Sequence, residues 1–345
     1  MESRELKFLV LGAGAIGGIA AALMKRKGYD VAVMCRSREQ ASQISGSGLK
    51  ISGVCGDFTQ KIDAYSSASE ITGKMDVILH ATKATDMIDA LRKVLPVLDP
   101  DGHIVSLQNG ICEDELEAEA KGRKVIGCVT GWGATMEKGG ALTMTSEGDF
   151  ILGYPDGKSD DRLLLVAEAL SSVVPVKATG NIMGHLYSKL IINSCITSLG
   201  AVCGLYLGEM LRSAKIRRIF IEIINEAVMV ADKMNLKIEV FGGKLDFRKF
   251  IGGKGDLASL KRHLMIRIIG FKYRRLKSSS LQSLERGRPT EIDYLNGYIV
   301  RNGVKYNVNV PVNSAITGMI HEIELGKRKI TPDNFNDPVF DRFNR

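Results

Sequence analysis

Over the first 180 residues, short apolar runs alternate with runs that are apolar on one side only. "KFLVLG" (7–12) predicts a strand, and "AIGGIAAALMKRKG" (15–28) a helix with Gly28 as its stop. "DVAVMC" (30–35) and "MDVILHAT" (75–82) predict two more buried strands, while "GLKISGV" (48–54) and "DFTQKIDAY" (57–65) predict a hairpin or edge pair. "DMIDALRKVLPVL" (86–98) is helical, and "GHIVSLQNG" (102–110) is a strand ending in a turn. "KVIGCVTGWGAT" (124–135) and "ALTMTSEGDFILGY" (141–154) follow as late strands. Strands alternating with helices predict an α/β, doubly wound, Rossmann-type sheet with helices on both faces.

Beyond residue 180 the period becomes helical, over 184–210, 213–235, 257–276 and 290–302, and strand signals nearly vanish. This predicts a dinucleotide-binding domain over 1–180 and an all-α domain over 181–345, with the boundary near Thr179–Asn181. Residues 239–277, rich in glycine and lysine, form an insertion or a long helix-loop-helix. "DNFNDPVFDRFNR" (333–345) predicts a poorly ordered tail.

Charge sharpens this division. The net charge is +8, yet residues 212–288 alone carry 19 Lys+Arg against 7 Asp+Glu. The rest of the chain is therefore slightly acidic. The six cysteines show no paired spacing and, with five scattered histidines, no metal-ligand pattern. Scattered cysteines point to a reducing compartment, hence the cytoplasm. The uncharged run Phe8–Met24 contains four glycines and follows Glu2 and Glu5, so a strand, turn and helix explain it better than a secretion signal. The 190–211 run is interrupted by Asn193, Ser194, Thr197 and Ser198, so no membrane span is expected.

Gly12, Gly14, Ala15, Ile16 and Gly17 form a Gly-x-Gly-x-x-Gly turn between the first strand and its helix. That context suits a pyrophosphate lying on a helix N-terminus, where Cβ atoms would be in the way. An NAD-selective site places an acid at the end of the second strand. Here the strand ends in Arg36, followed by Arg38, while Asp30 stands at its other end. A guanidinium forks onto a 2′-phosphate, which favours NADPH. Lys83, after the third strand, points to the same rim, either near the cofactor or simply exposed.

In "GHLYSKLIINSCITSLGAVCG" (184–204), His185, Lys189, Asn193 and Thr197 recur every four residues. They form one polar stripe on an otherwise apolar helix. The stripe is either a solvated face or an active-site wall. In the second case desolvation makes the lysine a ready proton donor to an alkoxide. Asn109 ends a sheet strand at its carboxyl edge, though Asn-Gly is also an ordinary turn. Ser278–Ser280 precede one helix and Glu291 starts the next, where an acid is favoured by the helix dipole alone.

At these residues the chain resembles the ketopantoate reductase (2-dehydropantoate 2-reductase) family, over roughly residues 6–325. The motifs are "GAGAIG" (12–17), "LQNG" (107–110), "KLIIN" (189–193) and "SSSLQ…RGRPTEIDYLNG" (278–297). The Lys-x-x-x-Asn spacing separates it from hydroxyisobutyrate-type dehydrogenases, which use Lys-x-x-Asn. The resemblance implies an NADPH-binding Rossmann domain, a helical domain and a cleft between them. It implies NADPH-dependent reduction of a small anionic 2-oxo acid, ketopantoate foremost. Lys189 would be the catalytic acid, partnered in the catalytic site by Glu291, with Glu291, Asn193 and Ser279 binding substrate. Asn109 would touch cofactor and substrate, and Arg36 and Lys83 would sit by the adenosine phosphate. Thr197, also on the substrate side, replaces a second asparagine common in the family. Tyr187 stands where the family has an aromatic, often tryptophan, and the 239–277 segment is longer and more basic than the common form. A homodimer through the helical domain is the candidate assembly. Readings that remain are a reductase of another 2-oxo acid, an opine-type dehydrogenase, and a non-catalytic NADP sensor using the basic region. That region lacks the aromatic interleaving of a nucleic-acid surface.

Overall fold

The computed structural model describes residues 2–137 and 139–344. The chain divides into two compact units, Met1–Leu186 and Tyr187–Arg345. The expected boundary at 179–181 is where a long helix begins, and the division falls just inside that helix.

The first unit holds, in chain order, strands β1 (Lys7–Leu11), β2 (Asp30–Met34), β3 (Leu49–Gly53), β4 (Phe58–Gln60), β5 (Asp63–Tyr65), β6 (Met75–His80), β7 (Leu98–Ser106), β8 (Lys124–Thr130), β9 (Gly133–Met136), β10 (Leu142–Ser146), β11 (Phe150–Gly153) and β12 (Val176–Ala178). Its helices are α1 (Ala15–Arg26), α2 (Arg38–Ser47), α3 (Met87–Val94), α4 (Glu113–Glu119) and α5 (Asp161–Leu170). The main sheet has the order β12-β11-β8-β7-β6-β1-β2-β5. Neighbours pair in parallel from β8 to β5, while β11 pairs antiparallel with β8 and β12 in parallel with β11, so these two edge strands run opposite to the rest. The chain builds outward from β1 through β2 to β5, then returns to β6 on the other side. The strand order therefore reverses at β1, and ligands of open α/β sheets bind outside the carboxyl ends of strands at such a point.

Both faces of the central strands are buried. Phe8, Val10, Val31, Val33, Val77 and Leu79 join one core with α1 and α5, while Leu9, Leu11 and Ile78 face the opposite side and are equally buried. Continuous apolar runs are what a parallel sheet covered on both faces requires. A second sheet of order β4-β3-β10-β9 was not expected from the sequence. The expected hairpin is split: β4 pairs antiparallel with β3, while β5 goes to the edge of the main sheet. The late strands are divided likewise, with β9 and β10 in the small sheet and β8 and β11 in the large one.

The second unit is helical: α6 (Ile182–Cys203, starting in the first unit), α7 (Leu207–Met210), α8 (Ala214–Lys233), α9 (Phe247–Gly252), α10 (Asp256–Lys272), α11 (Ser279–Glu285), α12 (Asn296–Lys305) and α13 (Pro311–Glu324). Among the described residues α6 is the one helix with the length and hydropathy to cross a bilayer, and most of it is buried inside the protein. The C-terminal stretch departs from expectation. Residues Pro332–Asn336 and Pro338–Phe343 form tight helical turns that bury Phe335, Phe340 and Phe343. Three aromatic side chains give this segment enough apolar area to offset the entropy of ordering it.

A buried polar cluster joins four helices of this unit. Asn296 of α12 donates through Nδ2 to Ser194 O (3.3 Å) and Asn313 Oδ1 (2.9 Å), and accepts from the Ser198 hydroxyl. Asn313 in turn donates through Nδ2 to Glu226 Oε2 at 2.7 Å. The Glu226 carboxylate, on α8, also accepts the Val312 and Asn313 backbone N–H groups, each at 2.9 Å. These are orphan donors at the start of α13, which lacks a side-chain cap of its own. A carboxylate from another helix does the capping and sits at the favourable end of the dipole. We expect Glu226→Ala to cost about 3 kcal/mol, because it strands buried donors. The midpoint of urea unfolding measures this, and an unchanged midpoint would refute it.

Candidate active site

The glycine turn is built as its spacing requires. Gly12 has φ +105°, a conformation that side-chain-bearing residues rarely adopt. At Gly17 a Cβ would stand 2.2 Å from the Gly12 carbonyl oxygen and 2.8 Å from Ala81 Cβ. The third glycine therefore lets α1 seat on the end of β1 and on the loop after β6. Gly14 is different: its φ is −79°, and a Cβ there would meet nothing within 4 Å. It is the N-cap of α1 and caps with no side chain. Open space and uncapped N–H groups at one helix N-terminus fit a pyrophosphate.

Arg36 follows β2 and is exposed, with its guanidinium 3.9 Å from the Asp86 carboxylate. Asp86 closes a short turn whose N-cap position is Lys83, in the loop after β6. The loops after β2 and β6 thus meet across the glycine turn, and Lys83 itself is half-buried. Arg36 and Lys83 thus stand in the loops at the carboxyl ends of the two strands that flank β1. Arg36 shares its charge with Asp86.

Asn109 is exposed, just past the carboxyl end of β7. Beneath it lies a buried polar group of residues that no sequence pattern indicated. Ser106 Oγ donates to Gln108 Oε1 (2.9 Å), and Gln108 Nε2 donates to His80 Nδ1 (2.7 Å). His80 Nε2 then donates to the Met87 carbonyl at 3.0 Å, which fixes the tautomer. Burial pushes the His80 pKa down to about 4, so the ring is neutral. Glu113, at the start of α4, is fully buried and accepts the Cys112 N–H at 2.9 Å. Burial raises its pKa to about 7, against the lowering effect of its own N–H, the Ser106 hydroxyl and the Cys112 N–H.

In the second unit, Lys189 and Asn193 are half-buried on α6 and Thr197 is buried. His185 extends the same stripe into the first unit and is also half-buried. Tyr187 is fully buried, donates its hydroxyl to the Ala227 carbonyl at 2.7 Å, and packs edge-on to Tyr298. It thereby fixes the rotation of α6 two residues before Lys189. The other two motif segments lie against this helix. A Cβ on Gly200 would stand 2.9 Å from Ser278 Cβ, and Asn296 bonds to Ser194 and Ser198. Ser278 is spent as the N-cap of α11, accepting the Leu281 N–H, and Ser280 is buried. Ser279 is exposed. Glu291 is half-buried but does not open a long helix: it caps a three-residue turn, Ile292–Tyr294, and α12 starts only at Asn296. The segment before it is pinned by Glu324, which accepts both the Thr290 N–H and the Thr290 hydroxyl at 2.7 Å.

Comparison with known proteins matches this arrangement on both units. The family model "Ketopantoate reductase PanE/ApbA" matches residues 8–157, and its C-terminal counterpart matches residues 181–324. The chain belongs to the ketopantoate reductase family. A 2-dehydropantoate 2-reductase from Aquifex aeolicus is 28% identical over 94% of this chain and 99% of its own length. Among solved structures, a ketopantoate reductase from Ralstonia eutropha has a TM-score of 0.78 at 26% identity, covering 93% of this chain and 99% of that one. D-Mandelate dehydrogenase, solved with NADH and anilino(oxo)acetate, has the same fold, with TM-score 0.78 at 22% identity, covering 94% and 100%. Family membership makes the protein an oxidoreductase acting on a CH–OH group.

Sequence reasoning missed the supports: His80, Gln108 and Glu113 under the Asn109 loop, and Glu226, Asn296, Asn313 and Glu324 behind the α6 face. His80 in "HATK" and Glu113 in "EDELEAE" stand beside polar residues, as solvent-exposed side chains do. The signal available was a polar residue flush against a strand end, as with His80 and Gln108.

Two predictions follow from this geometry. Gly17→Ala should destabilise the fold, since its Cβ meets backbone, whereas Gly14→Ala should leave the melting temperature unchanged and weaken dinucleotide binding at least tenfold. Thermal melts and dinucleotide titration of both variants check this, and a strongly destabilised Gly14→Ala would refute it. For Glu113, the folded pKa of about 7 exceeds the ordinary value of 4.5, so the folded form keeps a proton that the unfolded chain has lost. Stability should therefore fall by about 3 kcal/mol as pH rises from about 4.5 to about 7. In Glu113→Gln that slope should be absent from urea titrations run across the same range.

Proposed function

We propose that this protein is a cytoplasmic, NADPH-dependent reductase that converts ketopantoate to pantoate. The observation that carries the reading is the half-buried Lys189 on a mostly buried, apolar helix, with the Ser278–Ser280 and Glu291–Asn296 segments belonging to the same unit. An ammonium is costly to keep in such a wall unless it has a task.

The nicotinamide, when bound, supplies the hydride to C2 of the oxo acid. Gly14, Ala15, Ile16 and Gly17 would hold its pyrophosphate through backbone N–H groups at the start of α1, with Gly12, whose own N–H goes to the Met34 carbonyl, shaping the turn, and Arg36 with Lys83 would favour the 2′-phosphate of NADPH. The Lys189 ammonium polarises the substrate carbonyl and gives its oxygen a proton as the alkoxide forms. Glu291 and Asn193 orient the substrate hydroxyl and carbonyl, and Ser279 and Asn109 hold its remaining polar groups. Six free cysteines support a reducing compartment.

Thr197 favours a second reading of the substrate. It is buried, shorter than asparagine and without an amide, so the hydroxyl of ketopantoate loses one partner there. A 2-oxo acid without that hydroxyl then competes better than in relatives that carry asparagine.

The test follows dinucleotide oxidation with ketopantoate and a panel of 2-oxo acids, with NADPH and NADH in parallel. We expect ketopantoate turnover with NADPH preferred, and a loss of about 10²–10⁴-fold in kcat for Lys189→Ala, the usual contribution of a general acid. Turnover of a different 2-oxo acid alone would move the substrate assignment to the second reading. NADPH binding without reduction of any 2-oxo acid would overturn the proposal.

A further inference from the structure

The second unit carries a cationic hollow that the reductase reading does not use. Its frame is set by close approach of backbone. A Cβ on Gly208 would stand 2.6 Å from Arg274 Cβ. The Leu207 and Gly208 N–H groups donate to the carbonyls of Leu276 (3.0 Å) and Arg274 (3.3 Å). A Cβ on Gly270 would meet Leu211 at 3.0 Å. Two glycines thus let α7 close against the end of α10 and the segment that follows it. Between these elements lies a hollow of about 620 Å³, the size of a small-molecule site.

Its charge is uncompensated. Arg212, Arg267, Arg274 and Arg275 line it, and all four are exposed. Among the described residues none of them has a carboxylate within ion-pair distance, although Glu209 lines the same hollow. Elsewhere in the chain arginines are spent on acids: Arg92 on Glu119, Arg248 on Asp232 and Arg328 on Glu322. Four guanidiniums against one carboxylate leave a net charge of +3 on the walls. A nucleoside diphosphate, with about three negative charges at neutral pH, balances it. Guanidinium forks also match phosphate geometry.

Two aromatic rings on the same walls decide between anions. Tyr206 is 46% exposed and Phe271 73%, and both line the hollow. The Arg274 guanidinium lies 5.2 Å from the centroid of the Phe271 ring, so a cation and a π-face adjoin. A bare phosphate makes no use of exposed rings, whereas a nucleobase stacks on them. A space of this volume holds one nucleotide rather than the run of several that a strand-binding groove tracks.

We propose that this hollow binds a nucleoside diphosphate or triphosphate, with its phosphates on the arginines and its base against Phe271 or Tyr206. The site shares no residue with the glycine turn of the first unit and does not depend on which 2-oxo acid is reduced. It gives part of the basic 239–277 segment a ligand.

Photolabelling of the full-length protein with ADP that carries an azide on its base, followed by peptide mapping, tests this. The adduct should lie on Tyr206 or Phe271. Replacing Arg267 and Arg275 together by alanine should raise the concentration for half-maximal labelling of that peptide by roughly tenfold or more, with unchanged circular dichroism, because charge-assisted bonds to phosphate are lost. Unlabelled ADP should compete roughly fivefold or more better than inorganic pyrophosphate, since stacking adds to the phosphate contacts. Labelling confined to residues 1–186, or labelling of the hollow that persists in the double variant, would overturn the inference. So would pyrophosphate competing as well as ADP, because the hollow would then hold adventitious anions only. Competition by an adenine oligonucleotide at lower nucleotide concentration than ADP would overturn it too, since the surface would then be a nucleic-acid track.

Discussion

A carbonyl oxygen 2.2 Å from where a Cβ of residue 17 would stand decides how the first helix meets the sheet. With glycine there, α1 closes onto the Gly12 turn and onto Ala81, after β6. The same helix then packs Gly18 against Leu142 of the small sheet. One contact thus orders three things: the helix N-terminus over the carboxyl end of β1, the spacing of β1 from the β6 loop, and the seat of the second sheet. The space outside Gly14 is what remains. A side chain at residue 17 would push the helix outward and move those N–H groups off the strand end, so the proposed phosphate cradle depends on a packing constraint before it depends on any ligand contact.

The second unit is ordered by the opposite device, a buried polar cluster. Asn296, Asn313, Ser198 and Glu226 tie α6, α8, α12 and α13 through directional bonds. An all-apolar interface between these helices would tolerate sliding by one turn at modest cost. Bonds that leave a buried donor unpaired when the register slips do not. The cluster abuts the part of α6 just beyond Asn193, so it fixes the height of the proposed catalytic face along the helix axis, while Tyr187 fixes its rotation.

Much of this was legible in the chain. Strand–turn–helix at 7–28, the alternation that followed, and the change to helical period after 180 rest on local signals, and local signals survive folding. The second sheet was not legible, because β3 pairs in parallel with β10, which lies far along the sequence, and pairing at such separation leaves no mark in either segment. The tail was misread because Phe335, Phe340 and Phe343 stand among polar residues, and only a receiving surface makes them core. Arg36, Lys189 and Glu291 could be named from sequence. Buried polar residues elsewhere could not, since Glu324, Glu226 and His80 matter through contacts with distant groups. Glu291 was placed on a long helix because an acid before an apolar run is an N-terminal signal, and here Pro289 and the tight turn at Ile292 delay the helix by several residues.

Helix α6 shows why composition and function need to be separated. By length and hydropathy it could cross a bilayer, yet its polar residues are not scattered over the surface. His185, Lys189, Asn193 and Thr197 keep one line, while Ser194 and Ser198 lie on another that meets Asn296. A membrane span has no use for two separate polar lines with different partners, one structural and one half-open. A helix at the centre of an enzyme domain does: one line locks the bundle, and the other carries the proposed catalytic ammonium and amide. The cost of placing an ammonium in such an apolar helix is what makes the second line informative.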